Sequence, residues 1–229
     1  MSHALLFDYG GTLDTHGRHW ARVLWEAYQE AGVACAEEDF REAYVSVERR
    51  LGRESIITPR DTFRDVLVCK VHLQMQLLGL GAVSSGMERL VVDYCDAYAR
   101  RCTAQSADVL SRLHVHYPLV LVSNFYGNLR AVLSDYALLP LFDDIVESAA
   151  VGLRKPDPAI WRLAVERQHL APAQCTVIGD SLKNDILPAH TLGIPTIWYQ
   201  GQGWEHAETA PFPCPTIRQL DEIPRFCPR

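Results

Sequence analysis

The sequence has little of what three common classes of protein require. Its apolar runs are short, and none reaches the roughly 18–20 uninterrupted apolar residues of a membrane-spanning helix. Its seven cysteines form no C-x-x-C pair and no His/Cys cluster at zinc spacing, which argues against a zinc site and favours reduced thiols. Residues 1–15 lack the basic, apolar and small-residue order of a signal peptide. We therefore expect a cytoplasmic protein.

Positive charge is also scarce. The formal net charge is -6, so an extended basic surface for nucleic acid or for an acidic membrane is not expected. Only three of the 22 basic residues are lysines, namely Lys70, Lys155 and Lys183. The expected partner is a small molecule, with no nucleic acid and no membrane, and the expected state is a monomer or a homodimer.

Five short apolar runs that end in small or polar residues are present. Each is short enough for a strand, and the runs are HALLFDYGG, PLVLVSNF, FDDIVESAA, QCTVIGDS and IPTIWYQG. Helix-length segments lie between the later runs, at 126–136, 158–169 and 184–192, and Asp157 is the expected N-cap of the second. This alternation predicts an α/β fold with a parallel sheet flanked by helices. The Pro-punctuated tail is expected to add a short strand or a turn of helix.

Residues 15–100 have a different pattern. They contain no strand-like run and instead carry the helical patterns WARVLWEAYQEAG, EEDFREAYVSVERRL and RDTFRDVLVCKVHLQMQLLG. We therefore expect a helical domain, 15–100, inserted into a core domain that comprises 1–14 and 101–229. Such an insert is expected to close over the core and exclude water, with hinges near Thr15 and Arg101.

Polar residues follow several of the predicted strands. Asp8 comes after LLF, Ser123 and Asn124 come after VLV, and Asp180 comes after TVIG. Lys155, in GLRKPDP, follows the third run and precedes a helix. A single aspartate at a strand end is commonly a cap or turn residue. Because ligands bind at the carboxyl ends of parallel strands, however, the combination predicts a functional site at that edge.

Four segments carry a resemblance to a known family. In this order, FDYGGTLD, LVSNF, the Lys155 of RKPDP, and IGDSLKND resemble the four motifs of the haloacid dehalogenase superfamily. The helical insert has the position and length of that family's type 1 cap domain. The resemblance implies a Rossmann-like core with an all-helical cap, and usually a magnesium-dependent phosphatase of a small metabolite that works through an aspartyl-phosphate. The family also holds dehalogenases, phosphonatases and phosphomutases, so it does not determine the reaction.

The resemblance and the chemistry together suggest a nucleophile and a metal site. A phosphate monoester is a dianion, so a carboxylate can attack it only when cations neutralise the phosphoryl oxygens. Asp8 is the expected nucleophile. Magnesium prefers hard oxygen ligands, and the expected ligands are Asp8, the backbone carbonyl of Gly10 and Asp180. Asp185 is expected at the same metal site, orienting metal-bound water or Lys155; capping the helix near residue 184 is an equally good role.

Another group of residues is expected to bind the phosphoryl group. Lys155 would supply a fixed positive charge, while the Ser123 hydroxyl and the amide of Asn124 would donate hydrogen bonds. Gly11 and Thr12 are expected in a turn that lets the backbone pass close to the phosphate. The alternatives are a solvated surface lysine for Lys155 and plain turn chemistry for Gly11.

One residue departs from the family pattern. Phosphatases of this kind usually carry a second aspartate two residues after the nucleophile as general acid and base, and that position here is Gly10. Loss of a general acid lowers the reaction rate by about 100- to 10,000-fold. Three outcomes are open. The leaving group departs unprotonated, as from an acyl phosphate, an aryl phosphate or a sugar 1-phosphate; Asp14, His16 or His19 replaces the acid; or turnover is poor or absent.

The last outcome defines the main alternative function, a non-catalytic or weakly active phosphate-binding or regulatory protein on the same scaffold. Two other enzyme classes receive less support. A dehalogenase needs no acid, but members of that branch have a tyrosine where Gly10 stands, and Tyr9 is one place too early. A phosphonatase would need a Schiff-base lysine from the insert, and Lys70 lies deep in a helical pattern.

Overall fold

The computed structural model describes residues 3–81, 85–203 and 210–227, and these residues form a parallel β-sheet. Its strands are β1 (Ala4–Phe7), β2 (Leu119–Ser123), β3 (Asp144–Glu147), β4 (Cys175–Gly179), β5 (Thr196–Tyr199) and β6 (Thr216–Ile217). The strand order is β3-β2-β1-β4-β5-β6, and every neighbouring pair is parallel. Each predicted apolar run contains one of the first five strands. The predicted α/β class with a Rossmann-like parallel sheet is confirmed.

The described residues also form helices. They are α1 (Trp20–Glu30), α2 (Glu37–Leu51), α3 (Phe63–Leu77), α4 (Ser85–His114), α5 (Leu129–Asp135), α6 (Ser148–Val151), α7 (Ala159–Arg167) and α8 (Leu187–Thr191). Shorter 3-10 segments span Leu139–Leu141, Pro172–Gln174 and Leu220–Arg225, and a π-helical turn spans Leu182–Ile186. In the described part of the chain, no helix combines the length and the apolar character needed to cross a membrane.

Both faces of the sheet are covered, as the continuous apolar runs require. Leu5 and Phe7 belong to one buried cluster, which includes insert residues, whereas Leu6 belongs to a second cluster that contains Ile160 and Trp161 of α7. Side chains alternate between the two faces of a strand, so β1 must be apolar at every position. All of its residues are fully buried.

The first predicted helix begins later than expected. The segment 126–136 becomes helical only at Leu129, because the chain first turns at Gly127, whose φ is +98°. The side chain of Glu147 holds this turn, since its Oε1 accepts from the backbone N–H of Gly127 at 2.6 Å and of Leu129 at 3.3 Å. A contact between residues 20 apart in sequence leaves no local signal in the sequence.

The other two predicted helices are shifted at their starts. Asp157 does accept a hydrogen bond from the backbone N–H of Ala159, at 2.9 Å, but Pro158 occupies the cap position and α7 begins one residue later than predicted. The third helical segment begins at Leu182, earlier than predicted, because the Ser181 side chain caps it. In the C-terminal tail, β6 and the 3-10 segment Leu220–Arg225 confirm the expected strand and helical turn.

Between β1 and β2 the described residues form the four helices α1 to α4. Phe40 packs against Trp25 and Tyr28, with ring centroids 5.1 and 5.0 Å apart, so aromatic residues build the interior of this insert. Helix α4 runs without a break through the predicted domain boundary between residues 100 and 101. The division into a core and an insert at these residues stays a prediction.

The strand order creates a crevice at the carboxyl edge of the sheet. From β1 the chain proceeds to β2 and β3 on one side, whereas β4, β5 and β6 lie on the other side. Where the order reverses, the connections at the carboxyl ends of β1 and β4 lead in opposite directions and leave a space between them. Phe7 at the end of β1 pairs with Ile178 of β4, so the residues that follow both strands meet at this crevice.

Candidate active site

Four predicted site residues lie at the carboxyl ends of neighbouring strands. Asp8 directly follows β1, and Asp180 directly follows β4. Ser123 is the last residue of β2, and Asn124 follows it. Asp8 is 7% and Ser123 is 2% exposed. Burying a polar group costs free energy unless the group has a hydrogen-bond or charge partner. The contacts of these side chains therefore matter for the stability of the site.

Lys155 reaches this edge from the loop between α6 and α7. Its Nζ donates to Asp8 Oδ1 at 2.6 Å and to Asp185 Oδ1 at 2.8 Å, and it lies 4.6 Å from the centre of the Trp161 ring. Burial by itself lowers the pKa of Lys155, but the carboxylates of Asp185 and Asp8 raise this pKa by more. The ammonium therefore stays charged. Because Lys155 is only 4% exposed, the alternative of a solvated surface lysine is wrong.

The side chain of Asn124 fixes the backbone at Lys155. Its Nδ2 donates to the Lys155 carbonyl at 3.0 Å, and its Oδ1 accepts from the Lys155 N–H at 2.9 Å. The end of β2 therefore holds the loop that carries the lysine. Sequence reasoning did not predict this role, and donation from Asn124 to a phosphoryl group stays a prediction.

Thr12 links the two aspartates that follow β1 and β4. Its hydroxyl lies 3.0 Å from Asp8 Oδ2 and 3.3 Å from Asp180 Oδ1, and it accepts from the Asp180 N–H at 3.1 Å. The sequence analysis predicted only a turn for Thr12, without a role in the site. Its position four residues after Asp8, where the chain has turned back towards the sheet edge, was the available signal.

The site contains more acidic than basic side chains. Asp8, Asp180 and Asp185 each offer a carboxylate oxygen within 4.8 Å of the others. Burial, followed by the charge of Asp8, raises the pKa of Asp180 well above its ordinary value, and burial raises that of Asp185 to about 7, against the opposing effect of Lys155. One ammonium cannot neutralise three carboxylates. An all-oxygen donor set with excess negative charge fits Mg²⁺, which prefers such hard ligands.

Asp185 is engaged at both carboxylate oxygens. Oδ1 accepts from Lys155, and Oδ2 accepts from the Ser181 N–H at 3.1 Å. The first contact agrees with the expected role of orienting Lys155. The second holds the start of the helical segment that follows β4. Direct coordination of a metal by Asp185, and by the carbonyl of Gly10, stays a prediction.

Two adjacent glycines have opposite surroundings. Gly11 has a φ of +97°, and a Cβ there would lie 2.4 Å from Asp180 Oδ2. Only glycine fits, because the turn brings the backbone against the carboxylate. Gly10 is exposed, and apart from its two chain neighbours none of the described residues has an atom within 4 Å of the position its Cβ would take. Open space thus surrounds the position at which the sequence resemblance places the family's general acid.

This difference leads to a paired prediction. Gly11→Ala is expected to lower the free energy of unfolding by about 1–3 kcal/mol, since it forces a side chain into a left-handed conformation and against Asp180. Gly10→Ala is expected to change it by less than about 0.5 kcal/mol. Urea unfolding of both variants checks this. Equal effects at the two positions would contradict the structure of the turn.

The three candidates for a replacement acid make other contacts. Asp14 is buried, and its two oxygens accept from the Gly11 N–H and from Trp20 Nε1, each at 2.7 Å; burial raises its pKa to about 7. His16 Nε2 lies 3.1 Å from Ser106 Oγ. His19 caps α1 through its Nδ1. Burial lowers the pKa of both imidazoles, which favours their neutral forms.

The residues that bear on the less supported enzyme classes lie elsewhere. Tyr9 is fully buried in the apolar cluster, with its ring centroid 5.8 Å from that of Phe125. Lys70 is 5% exposed and pairs with Glu48. The burial of Tyr9 does not support the tyrosine of a dehalogenase, and the ion pair of Lys70 does not support the free Schiff-base lysine of a phosphonatase.

The fold and this cluster of residues at the switch point define a hydrolase of the haloacid dehalogenase type. The family model for haloacid dehalogenase-like hydrolases matches residues 3–193, and the chain belongs to that family. The haloacid dehalogenase-like hydrolase domain-containing protein 3 of Mus musculus is 27% identical over 169 residues, which cover 72% of this chain and 67% of that protein.

Two further relatives are informative. The glyceraldehyde 3-phosphate phosphatase of Pyrococcus furiosus is 28% identical over 100 residues, which cover 42% of this chain and 40% of that enzyme. The HAD-hydrolase YfnB of Bacillus subtilis, solved bound to magnesium, has a TM-score of 0.61 at 22% identity and covers 98% of this chain and 97% of its own. This similarity shows the fold. The chain is thus a hydrolase of this family, with phosphatases among its relatives.

Proposed function

We propose that this protein is a magnesium-dependent phosphatase of a small phosphorylated metabolite. The observation that carries the proposal is the buried contact of Lys155 with Asp8 and Asp185, beside Asp180, at the switch point of the sheet. A lone cation among several carboxylates is poorly suited to stabilising a fold, because each buried charge must be compensated. It is well suited to receiving a metal and a phosphoryl group.

In the proposed reaction, an Asp8 carboxylate oxygen attacks phosphorus, and the bond from phosphorus to the leaving oxygen breaks. The product is an aspartyl-phosphate, which water hydrolyses to inorganic phosphate and free Asp8. Lys155 holds Asp8 at Oδ1 and supplies positive charge to the phosphoryl oxygens, while Thr12 orients the other oxygen. Bound magnesium, held by Asp8, Asp180 and the Gly10 carbonyl, would neutralise phosphoryl charge.

Gly10 determines which substrates fit this mechanism. With no carboxyl group at that position, and with Asp14, His16 and His19 held in other contacts, the leaving oxygen must depart without a proton. Acyl phosphates and aryl phosphates meet this condition because their leaving groups are weak bases. We infer that such compounds, rather than alkyl phosphates, are the preferred class.

The remaining features of the proposal concern the whole molecule. The helices of 15–100 act as a type 1 cap on a core of 1–14 and 101–229, and they cover the site during chemistry. The protein works in the cytoplasm as a monomer or a homodimer, without nucleic acid or membrane as a partner.

A panel of phosphate esters tests the function. Phosphate release is measured with acetyl phosphate, an aryl phosphate, a sugar 1-phosphate and an alkyl phosphate, each with magnesium and with a chelator. Release from the first two, lost with the chelator, is the expected result. Equal release from the alkyl phosphate would show that another group replaces the acid.

The second candidate is a phosphate-binding protein without turnover, and Gly10 is the observation that favours it. The charged groups that bind phosphate persist in such a protein, so calorimetry with inorganic phosphate and magnesium should still detect binding. Binding without release from any compound of the panel would favour this candidate over the enzyme.

Magnesium affinity is expected to depend on pH. Protons compete with the metal for the carboxylates, and burial raises the pKa of Asp185 to about 7, so the carboxyl group of Asp185 is largely ionised at pH 8 and largely protonated at pH 6. Affinity should therefore fall about tenfold between pH 8 and pH 6. Calorimetric titration at several pH values measures it. A magnesium affinity that does not change with pH would contradict the placement of Asp185 at the metal site. The same conclusion would follow if the affinity of the Asp185→Asn variant depended on pH as strongly as that of the wild-type protein.

A further inference from the structure

A second buried polar cluster joins the helical insert to the core. Glu48 lies on α2, Lys70 lies on α3, and Tyr126 lies in the loop after β2. The Tyr126 hydroxyl donates to Glu48 Oε2 at 2.6 Å, and Lys70 Nζ lies 2.5 Å from Glu48 Oε1. The same Nζ is 5.7 Å from the centre of the Tyr126 ring. Three elements distant in sequence thus meet at one carboxylate.

The loop that carries Tyr126 is the one that builds the phosphate side of the site. It follows Ser123 and begins with Asn124, whose side chain holds the backbone at Lys155. A second contact from the insert reaches the same loop, because Asn128 Nδ2 donates to the Asp61 carbonyl at 2.8 Å. The loop is therefore held from the insert on both sides of its turn.

The two charged residues of this cluster belong to the insert, and the core contributes a neutral tyrosine. Burial by itself raises the pKa of Glu48, but Lys70 and the Tyr126 hydroxyl lower this pKa by more. The Glu48 carboxylate is therefore ionised. Burial raises the pKa of Tyr126, so its hydroxyl remains a donor. Both charged partners belong to the insert and neutralise each other there. Separating insert from core would break the tyrosine hydrogen bond and leave the ion pair intact, which keeps the contact reversible.

We propose that Tyr126, through the Glu48–Lys70 pair, fastens the helical insert to the phosphate-binding loop and so acts as a positioning residue for Ser123 and Asn124. Only the catalytic consequence rests on the phosphatase function proposed above. The fastening itself is a property of the folded chain and can be measured without a substrate.

Tyr126→Phe is the variant that tests the proposal, because it removes the hydroxyl and keeps the ring. Tyr94→Phe is the matched control, since the half-buried Tyr94 also donates to a glutamate, Glu26 Oε2 at 3.4 Å, but both residues belong to the insert. A double variant, Glu48→Gln with Lys70→Met, removes the acceptor's charge and its counter-ion together, so no single buried charge remains.

Hydrogen exchange at the backbone amides of Phe125 and Gly127 is the first readout. Both amides are hydrogen-bonded, to Ser148 Oγ and Glu147 Oε1, so their exchange reports opening of the loop. We expect about tenfold faster exchange in Tyr126→Phe and in the double variant, and no change in Tyr94→Phe. Unchanged exchange in Tyr126→Phe overturns the proposal, whether or not the wild-type protein hydrolyses any compound.

The second readout is kcat/KM with acetyl phosphate and magnesium. We expect about a tenfold decrease in Tyr126→Phe, with a thermal midpoint close to that of Tyr94→Phe. Faster exchange with unchanged kcat/KM would overturn the positioning role. If the wild-type protein releases no phosphate, the proposed function fails, and the exchange rates alone decide whether Tyr126 fastens the insert.

Discussion

Asp8→Asn is expected to lower phosphate release from acetyl phosphate at least about 1,000-fold, the largest loss from any single substitution in this chain. An amide oxygen is a far poorer nucleophile than a carboxylate oxygen, and no other carboxylate lies in the same position after β1. The substitution also removes one negative charge from the oxygen cluster with Asp180 and Asp185. Steady-state kinetics with saturating magnesium measure the loss.

The fold should survive this substitution. Asparagine has the shape of aspartate, and its amide oxygen can still accept from Lys155 Nζ or from the Thr12 hydroxyl. Thermal unfolding followed by circular dichroism is the control. In the wild-type protein, rapid quenching and peptide mapping should find the phosphoryl group on the peptide that contains Asp8. A variant with activity within tenfold of wild type, and with no deamidation of the new asparagine, would refute a nucleophilic Asp8.

Most of the fold could be predicted from the sequence, because its determinants are local. Continuous apolar runs mark strands buried on both faces, and each of the five runs contains one of β1 to β5. The starts of helices were less predictable. Gly127 delays α5, and the side chain that stabilises its turn, Glu147, belongs to another strand. Such contacts depend on the folded sheet and cannot be inferred from neighbouring residues.

The proximity of the predicted site residues could be inferred from the sequence, whereas the contacts between them could not. Because parallel strands place their carboxyl ends at one edge, the positions of Asp8, Asp180 and Lys155 in the sequence were sufficient to bring them together. Two contacts depend on distances across the crevice. These are the hydrogen bond from the Thr12 hydroxyl to Asp8 and the hydrogen bond from the Asn124 side chain to the backbone of Lys155. Sequence patterns contain no such distances, so these two positioning roles emerged only from the structure.

Gly10→Asp is expected to raise release from alkyl phosphates by about 100- to 10,000-fold, the contribution of a general acid. The space is available, since apart from the two chain neighbours no atom of the described residues lies within 4 Å of a Cβ at that position. The residue is exposed and its φ lies outside the left-handed region, so the new side chain should cause little strain. Release from acetyl phosphate should change little, because its leaving group needs no proton.

Gly10→Asn is the matched control for this gain, since it has the same size and shape but no acidic proton. If Asp and Asn at position 10 have the same effect, the gain does not come from acid catalysis. If Gly10→Asp leaves alkyl phosphates unreactive while acetyl phosphate is still hydrolysed, the side chain at position 10 does not reach the leaving oxygen. A gain specific to aspartate would mean that the substrate range of this enzyme is set by the absence of one carboxyl group, with the nucleophile, Lys155 and the metal site already in place.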